Sequence, residues 1–345
     1  MSDRIQKNTP EIRSVSISGV LLALIAFPVL ASPFQLDLAC QVFLACIGAL
    51  SLMLLTGFAG QVSLGHAGLI AAGAFTVGIL TKELAAPFYI TVPAAAVTGA
   101  LLGFIFGLPS LRLRGLYLAV STLALHFAVV YLGGEYETKR GFSTGILIDP
   151  PSLFGYRLTD GRAWYILLLA SVALVFWLCH NILRARTGRA WGALRAHETV
   201  AEALGINVPR AKLMAFVISS AITAVGGALF AYYRSFVSVE AFSLLLSIQY
   251  VAMVIVGGMG SLLGAVLGAI FVTLFPYAIE ATVMSLPGAG RYAGAVFAAN
   301  YAAFGLVMIV FLMFEPGGLV GIWQRLRQRI RVARGIRDDV LEAAK

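Results

Sequence analysis

The residues of this sequence whose types and spacing could do chemistry concentrate in one stretch, Thr56-Gly57-Phe58-Ala59-Gly60-Gln61-Val62-Ser63-Leu64-Gly65-His66-Ala67-Gly68. An amide, a hydroxyl and an imidazole stand there inside the uncharged run 38–81, interrupted by Gly57, Gly60, Gly65 and Gly68. At membrane depth an unwound turn is tolerated only where it lines a cavity or is buried in protein. Gly60, Gln61, Ser63 and His66 could therefore line a passage for a polar solute. The same residues also suit close helix packing, with their polar groups bonding a neighbouring helix. Tyr117, Ser121 and Thr122 are polar enough to extend such a passage along a later segment. His126 is the other ionisable residue inside an apolar run, with Glu280 near the end of one. Ion-coupled carriers keep acidic groups or relays inside their spans. Their scarcity here points to an energy source outside this chain.

Catalytic chemistry finds no support. No G-x-x-x-x-G-K-[ST] loop is present to cradle phosphates, and no His-Glu-x-x-His, nucleophile elbow or Cys/His cluster appears. Cys40, Cys46 and Cys179 lie in apolar runs without metal-ligand spacing and read as small apolar side chains. The expectation is a chain with no catalytic residue, no metal site and no cofactor of its own.

The elements that must hold these residues follow from composition. Of 345 residues, 60% are AVILMFWYC and 12% are charged, about half the charged share of a soluble domain. A cytosolic enzyme, a nucleic-acid binder and a disordered chain are all excluded. Uncharged runs occupy 14–36, 38–81, 84–111, 115–134, 163–183, 213–233, 241–279 and 292–314. A spanning helix needs about 20 apolar residues, so runs 38–81 and 241–279 hold two each. The fold class is all-α: a polytopic helical membrane protein of about ten transmembrane helices. They are expected at 15–32, 38–55, 62–80, 88–108, 115–132, 163–183, 211–233, 241–257, 262–281 and 296–314.

The net charge is +9. With a cytosolic N-terminus and ten alternating spans, eighteen of the twenty-five Lys and Arg fall on the cytosolic side, as the positive-inside rule requires. Both termini are then cytosolic. The basic excess needs no nucleic acid, and the expected surroundings are membrane lipid. Val29-Leu30-Ala31 resembles a signal-cleavage site, but a leader carrying Asp3 and Glu11 favours an uncleaved first span. The chain divides into a cytosolic segment 1–14, a transmembrane domain 15–314 and a basic cytosolic segment 315–345. The domain contains an outer loop 133–162 and a cytosolic loop 184–210. Five spans on each side of the outer loop would orient the halves oppositely, as in an inverted 5+5 repeat. The early glycines recur loosely as Gly257, Gly260, Gly264 and Gly268. With Gly258, such residues equally suit helix packing or hinges.

Residues 190–204 read as an amphipathic helix in the cytosolic loop. Ala193, Leu194, His197, Val200, Ala201 and Leu204 share one face, while Arg195, Glu198 and Glu202 form an exposed stripe on the other. Gly205 is expected as its C-cap, and Pro209 as a barrier to continuation. Such a helix suits a docking surface or a rest on the membrane interface.

Taken together, five stretches resemble the LivM-type permease subunits of branched-chain amino-acid ABC importers. They are Gly57 to Gly68, Leu111 to Ala124, the loop from Thr187 to Asn207, Val256 to Gly264, and Phe314 to Gly321. The resemblance runs from about Leu38 to Trp323. It implies a permease that moves branched-chain or other hydrophobic amino acids across the bacterial cytoplasmic (inner) membrane. It also implies a second, LivH-like permease, two LivG/LivF-like ATP-binding subunits that hold the ATP and Mg, and a periplasmic solute-binding protein. The cytosolic loop would dock on an ATPase, with Arg195, Glu198, Glu202, Ala203 and Gly205 as the positions carried over. Two places depart from the family pattern: Lys139 and Arg140 interrupt an expected glycine-rich stretch, and Ala265 stands where proline is frequent. The first lies on the entry side, so a permease for urea, short amides or aromatic carboxylates is the alternative within the family. An autonomous secondary carrier is the alternative outside it.

Overall fold

The computed structural model describes residues 24–326, apart from 114, 143–144, 154, 285–292 and 316. A helix at 24–30 (α1) precedes α2 (Pro33–Leu52), which continues as a π-helix over Met53–Phe58. Then come α3 (His66–Leu84), α4 (Phe88–Gly107), α5 (Leu116–Arg140) and α6 (Gly161–Arg184). The loop between α6 and the next long helix holds α7 (Arg186–Ala196) and α8 (Glu198–Ala203). The chain closes with α9 (Val208–Arg234), α10 (Leu244–Gly257), α11 (Leu262–Met284) and α12 (Ala293–Phe314), with further helix at 318–326.

The protein is an all-α, multi-pass membrane protein. Seven helices among the described residues are long and apolar enough to cross a membrane: Pro33–Phe58, His66–Leu84, Phe88–Gly107, Leu116–Arg140, Gly161–Arg184, Val208–Arg234 and Leu262–Thr282. Each coincides with an expected span. The span expected at 15–32 begins outside the described residues. The one expected at 241–257 is a helix of 14 residues, because Val239–Phe242 form a 3-10 turn and Ser243 is extended.

Small residues decide the packing. α3 and α4 both lie along α9, and a Cβ added at Gly73 would stand 1.9 Å from the Ala224 carbonyl oxygen. Gly99 and Gly103 of α4 meet Ser220 in the same way. Buried hydroxyls complete the contact: Ser219 donates to Ser51 O at 2.8 Å, and the Ser51 and Thr223 hydroxyls are 2.8 Å apart. Lipid supplies no hydrophobic drive between helices, so close approach and such hydrogen bonds hold them together.

α5 runs eight residues past its expected end at 132. Arg140 reaches Glu83 at 2.7 Å, Tyr136 donates to Glu83 at 2.8 Å, and Glu135 pairs with Lys139 at 3.0 Å. Lys139 and Arg140 thus belong to a helix end, capped at Gly141, rather than to a loop. Beyond it, β1 (Ile146–Leu147) pairs antiparallel with β4 (Phe236–Val237), and β2 (Ser152–Leu153) with β3 (Tyr156–Arg157).

The two glycine-rich helix breaks lie at one level. Gly57 faces the Gly260 backbone, and Gly48 faces the Tyr250 ring, so α2 and α10 run side by side in the same direction. The recurrence of Gly57 and Gly60 as Gly257 and Gly260 therefore relates helices of equal sense. It does not support an inverted plan, which is left resting on the span count.

Candidate functional site

The first break is built by satisfying backbone groups that regular helix would have paired. Ala59 N bonds Leu54 O and Gln61 N bonds Leu55 O, each at 3.0 Å, so the helix widens and then unwinds. π-turns of this kind often mark functional positions. Neighbouring side chains take up donors further on: Leu64 N bonds Thr122 Oγ1, and Ala67 N bonds Ser247 Oγ, both at 2.9 Å. Close backbone approach does the rest. Gly65 packs on the Thr122 carbonyl and Gly68 on His126 Cα.

Loop 184–210 folds into a small module. Trp191 is fully buried and donates Nε1–H to Ala211 O at 2.9 Å, fixing α7 on α9. Leu194, Ala201 and Val208 share a satellite core with Ala193 and Ile206. The expected single helix over 190–204 is broken at His197, which is extended (φ −156°, ψ 116°). The break turns α8 relative to α7 and changes which residues face out. Val200 and Leu204, expected on the buried face, are 54% and 73% exposed. Glu198, expected outside, instead pairs with Lys212, which is 2% exposed. Arg195 donates through its guanidinium to Gly57 O. Glu202, Ala203 and Gly205 remain on the exposed side.

Gly205 does end α8. Its φ is +80°, Ile206 N bonds Ala201 O at 3.1 Å, and Gly205 N bonds Glu202 O at 2.9 Å. A Cβ there would touch nothing, so Gly205→Val carries backbone strain alone, about 1–2 kcal/mol for a left-handed residue. The expected outcome is faster protease cleavage near 205 with unchanged helix content. Equal cleavage rates would show that this turn is not under conformational demand.

These pieces meet. A cavity of about 120 Å³ is lined by Ala59, Gly60 and Gln61 of the break, Gly115 and Leu118 at the start of α5, Leu194, Arg195 and Glu198 of the loop module, and Lys212 of α9. The second break packs against one of these lining residues and against the chain beyond α12: Gly260 meets Arg195 Nη1, and Gly258 meets Gly317 O. Five sequence stretches scattered over the chain converge at one level.

Of the expected passage residues, Gly60 and Gln61 line this cavity. Ser63, His66 and Thr122 are buried between helices. The His66 ring lies 4.8 Å from that of Tyr250. Tyr117 is 77% exposed on α5, one face away from Leu118 and Thr122. It shares its stripe with Ser121, Ala124, Ala128 and Tyr131. Lys212 was missed by sequence reasoning. Its signal is a cation standing directly before the uncharged run 213–233.

A family model described as branched-chain amino acid transport system / permease component matches residues 35–314. The chain belongs to that family. Among relatives of this permease family, LivM, named as a high-affinity branched-chain amino acid transport system permease protein, is 33% identical in Salmonella typhimurium, over 75% of this chain and 66% of the relative. LivM of Escherichia coli K12 is also 33% identical, over 74% and 66%. The match thus spans just under two thirds of those relatives. LsrC of Escherichia coli HS, an autoinducer 2 import system permease protein, is 26% identical over 53% and 55%. No solved structure matches this chain.

Proposed function

We propose that this chain is a membrane subunit of an ABC importer for branched-chain or other hydrophobic amino acids. One observation carries the reading. The loop module is fixed to α9 by Trp191 and by the Glu198–Lys212 pair, and to the first helix break by Arg195, while it presents Val200 and Leu204 outward. Exposed apolar side chains on a pinned short helix fit a docking contact rather than solvated surface. Glu202, Ala203 and Gly205 flank that contact. ATP and Mg belong on two docked ATP-binding subunits, and a solute-binding protein on the opposite face delivers the cargo.

The solute passage is assigned to the exposed stripe of α5 carrying Tyr117 and Ser121, facing a second permease and ending at Gly60 and Gln61. Ser63, His66, Thr122 and the glycines at 57, 65, 68, 257, 258, 260 and 264 then shape and pack the breaks. Ten spans, both termini in the cytosol and residence in the bacterial inner membrane complete the reading. The name of the LsrC relative keeps a solute other than an amino acid as the alternative within the family.

The test is reconstitution. The chain is co-expressed with its genomic neighbours, purified in mild detergent and placed in liposomes. Stoichiometric recovery of a second permease and P-loop ATPases, with uptake of leucine only when ATP and the binding protein are present, is the expected result. Recovery of the chain alone, with uptake independent of ATP, would replace this reading with an autonomous carrier. In the active complex, Gln61→Ala is expected to lower the uptake rate severalfold without changing assembly. An unchanged rate would remove Gln61 from the passage.

A further inference from the structure

Arg195 belongs to the docking loop and is exposed there, yet its guanidinium reaches back to the first helix break. It donates to Gly57 O, in the last turn of the π-helix. A Cβ at Gly260 would stand 2.6 Å from its Nη1, and one at Gly60 would stand 3.4 Å from its Cα and Cγ. Gly60 and Gly260 both have positive φ, +69° and +90°. One cation thus lies between two helix breaks, each at a glycine whose positive φ other residues rarely adopt. Arg195 lies two residues before the extended His197, and Glu198, one residue after it, is held by Lys212. The hinge is flanked by one tether to the breaks and one to α9.

We propose that Arg195 is a positioning residue that ties movement of α8 to the two helix breaks, rather than a contact to the ATPase. The inference rests on the importer reading above. Displacement of α8 by a docked subunit turns the chain about His197, and the Arg195 fork carries that turn to Gly57 and Gly260. An arginine suits this task because its planar fork of donors reaches one carbonyl while packing flat on a second backbone. A lysine offers a single point charge.

The test uses the reconstituted complex and two readouts. The first is solute transported per ATP hydrolysed. Arg195→Ala is expected to co-purify with the ATPases and hydrolyse ATP, with the ratio falling about tenfold or more, as loss of a hydrogen bond to a charged group implies. Arg195→Lys should recover part of it. The second readout is maleimide labelling of Val62→Cys, a position 40% exposed within the first break. Cys40, Cys46 and Cys179 are buried. Labelling should differ severalfold between nucleotide-free and ATP-bound complexes with Arg195 present, and should not differ in Arg195→Ala. An unchanged transport-to-hydrolysis ratio, or a nucleotide response that survives Arg195→Ala, overturns the proposal. Failure of Arg195→Ala to bind the ATPases also overturns it, by making Arg195 a docking contact. If the complex with native Arg195 shows no ATP-dependent uptake, the importer reading fails and takes this inference with it.

Discussion

Lys212→Ala is expected to loosen the whole 184–210 module while sparing the membrane helices. Lys212 is 2% exposed and pairs with Glu198, whose side chain is 19% exposed. Breaking a buried ion pair by removing one partner costs roughly 3–5 kcal/mol. The partial exposure of Glu198 places this site at the lower end of that range. Protease cleavage around His197 should rise sharply, and the thermal midpoint of the detergent-purified chain should fall. Glu198→Lys should behave in the same way, because it sets two cations side by side. Glu202→Lys should not, since Glu202 faces solvent. That contrast decides how docking is probed. A double reversal of Glu198 and Glu202, the choice suggested by a single exposed stripe, would confound unfolding of the module with loss of docking. Glu202→Lys alone tests docking. The double variant Lys212→Met with Glu198→Leu should recover most of the stability, because an apolar pair of similar volume replaces a buried ion pair at little cost. A Lys212→Ala protein as resistant to protease as the parent would sink the claim that this pair holds the module.

Gly257→Ala is expected to be a severely damaging single-methyl change. A Cβ at Gly257 would stand 2.0 Å from Gly264 O and 3.2 Å from Gly268 N. These are backbone atoms of α11, so no side chain can swing away. The two helices must separate, and overpacking of this kind costs about 1–3 kcal/mol or more. Gly192→Ala is the control. It sits mid-helix in α7 with open space around its Cβ, and such a change gains about 0.5–1 kcal/mol. Folded yield after detergent extraction, read by size-exclusion chromatography, should fall for Gly257→Ala and hold or rise for Gly192→Ala. Equal yields would mean that α10 and α11 accommodate the methyl.

The helices were legible because hydrophobic length is a coarse signal, and each of the seven long spans coincides with an uncharged run. The break after Thr56 was legible for a related reason, as glycines and polar groups stand out against apolar sequence. The loop faces were not. The 3.6-residue period over 190–204 assumes one unbroken helix, and the extended His197 resets the phase, exchanging Glu198 for Val200 and Leu204 on the outer surface. Arg195 is exposed as expected, but periodicity could not show that its guanidinium reaches back to Gly57, since that depends on Gly57 and Gly260 arriving at the same place. Lys212 does not stand out in the sequence because its partner, Glu198, lies on a separate helix. The resemblance placed five stretches in family order, but order along a chain carries no information about proximity. Their convergence is a tertiary fact.

The break at Gly57 also sets a timetable for synthesis. Its carbonyl waits for Arg195, 138 residues downstream, and Met53 waits for Gly260 N, 207 residues downstream. At 5–20 residues per second, the widened turn spends roughly 10–40 s in the membrane before its last neighbour exists. Arg195 is made first and can cap the turn while α10 and α11 are still being translated. The first break therefore completes its contacts only when the second half of the chain has been made.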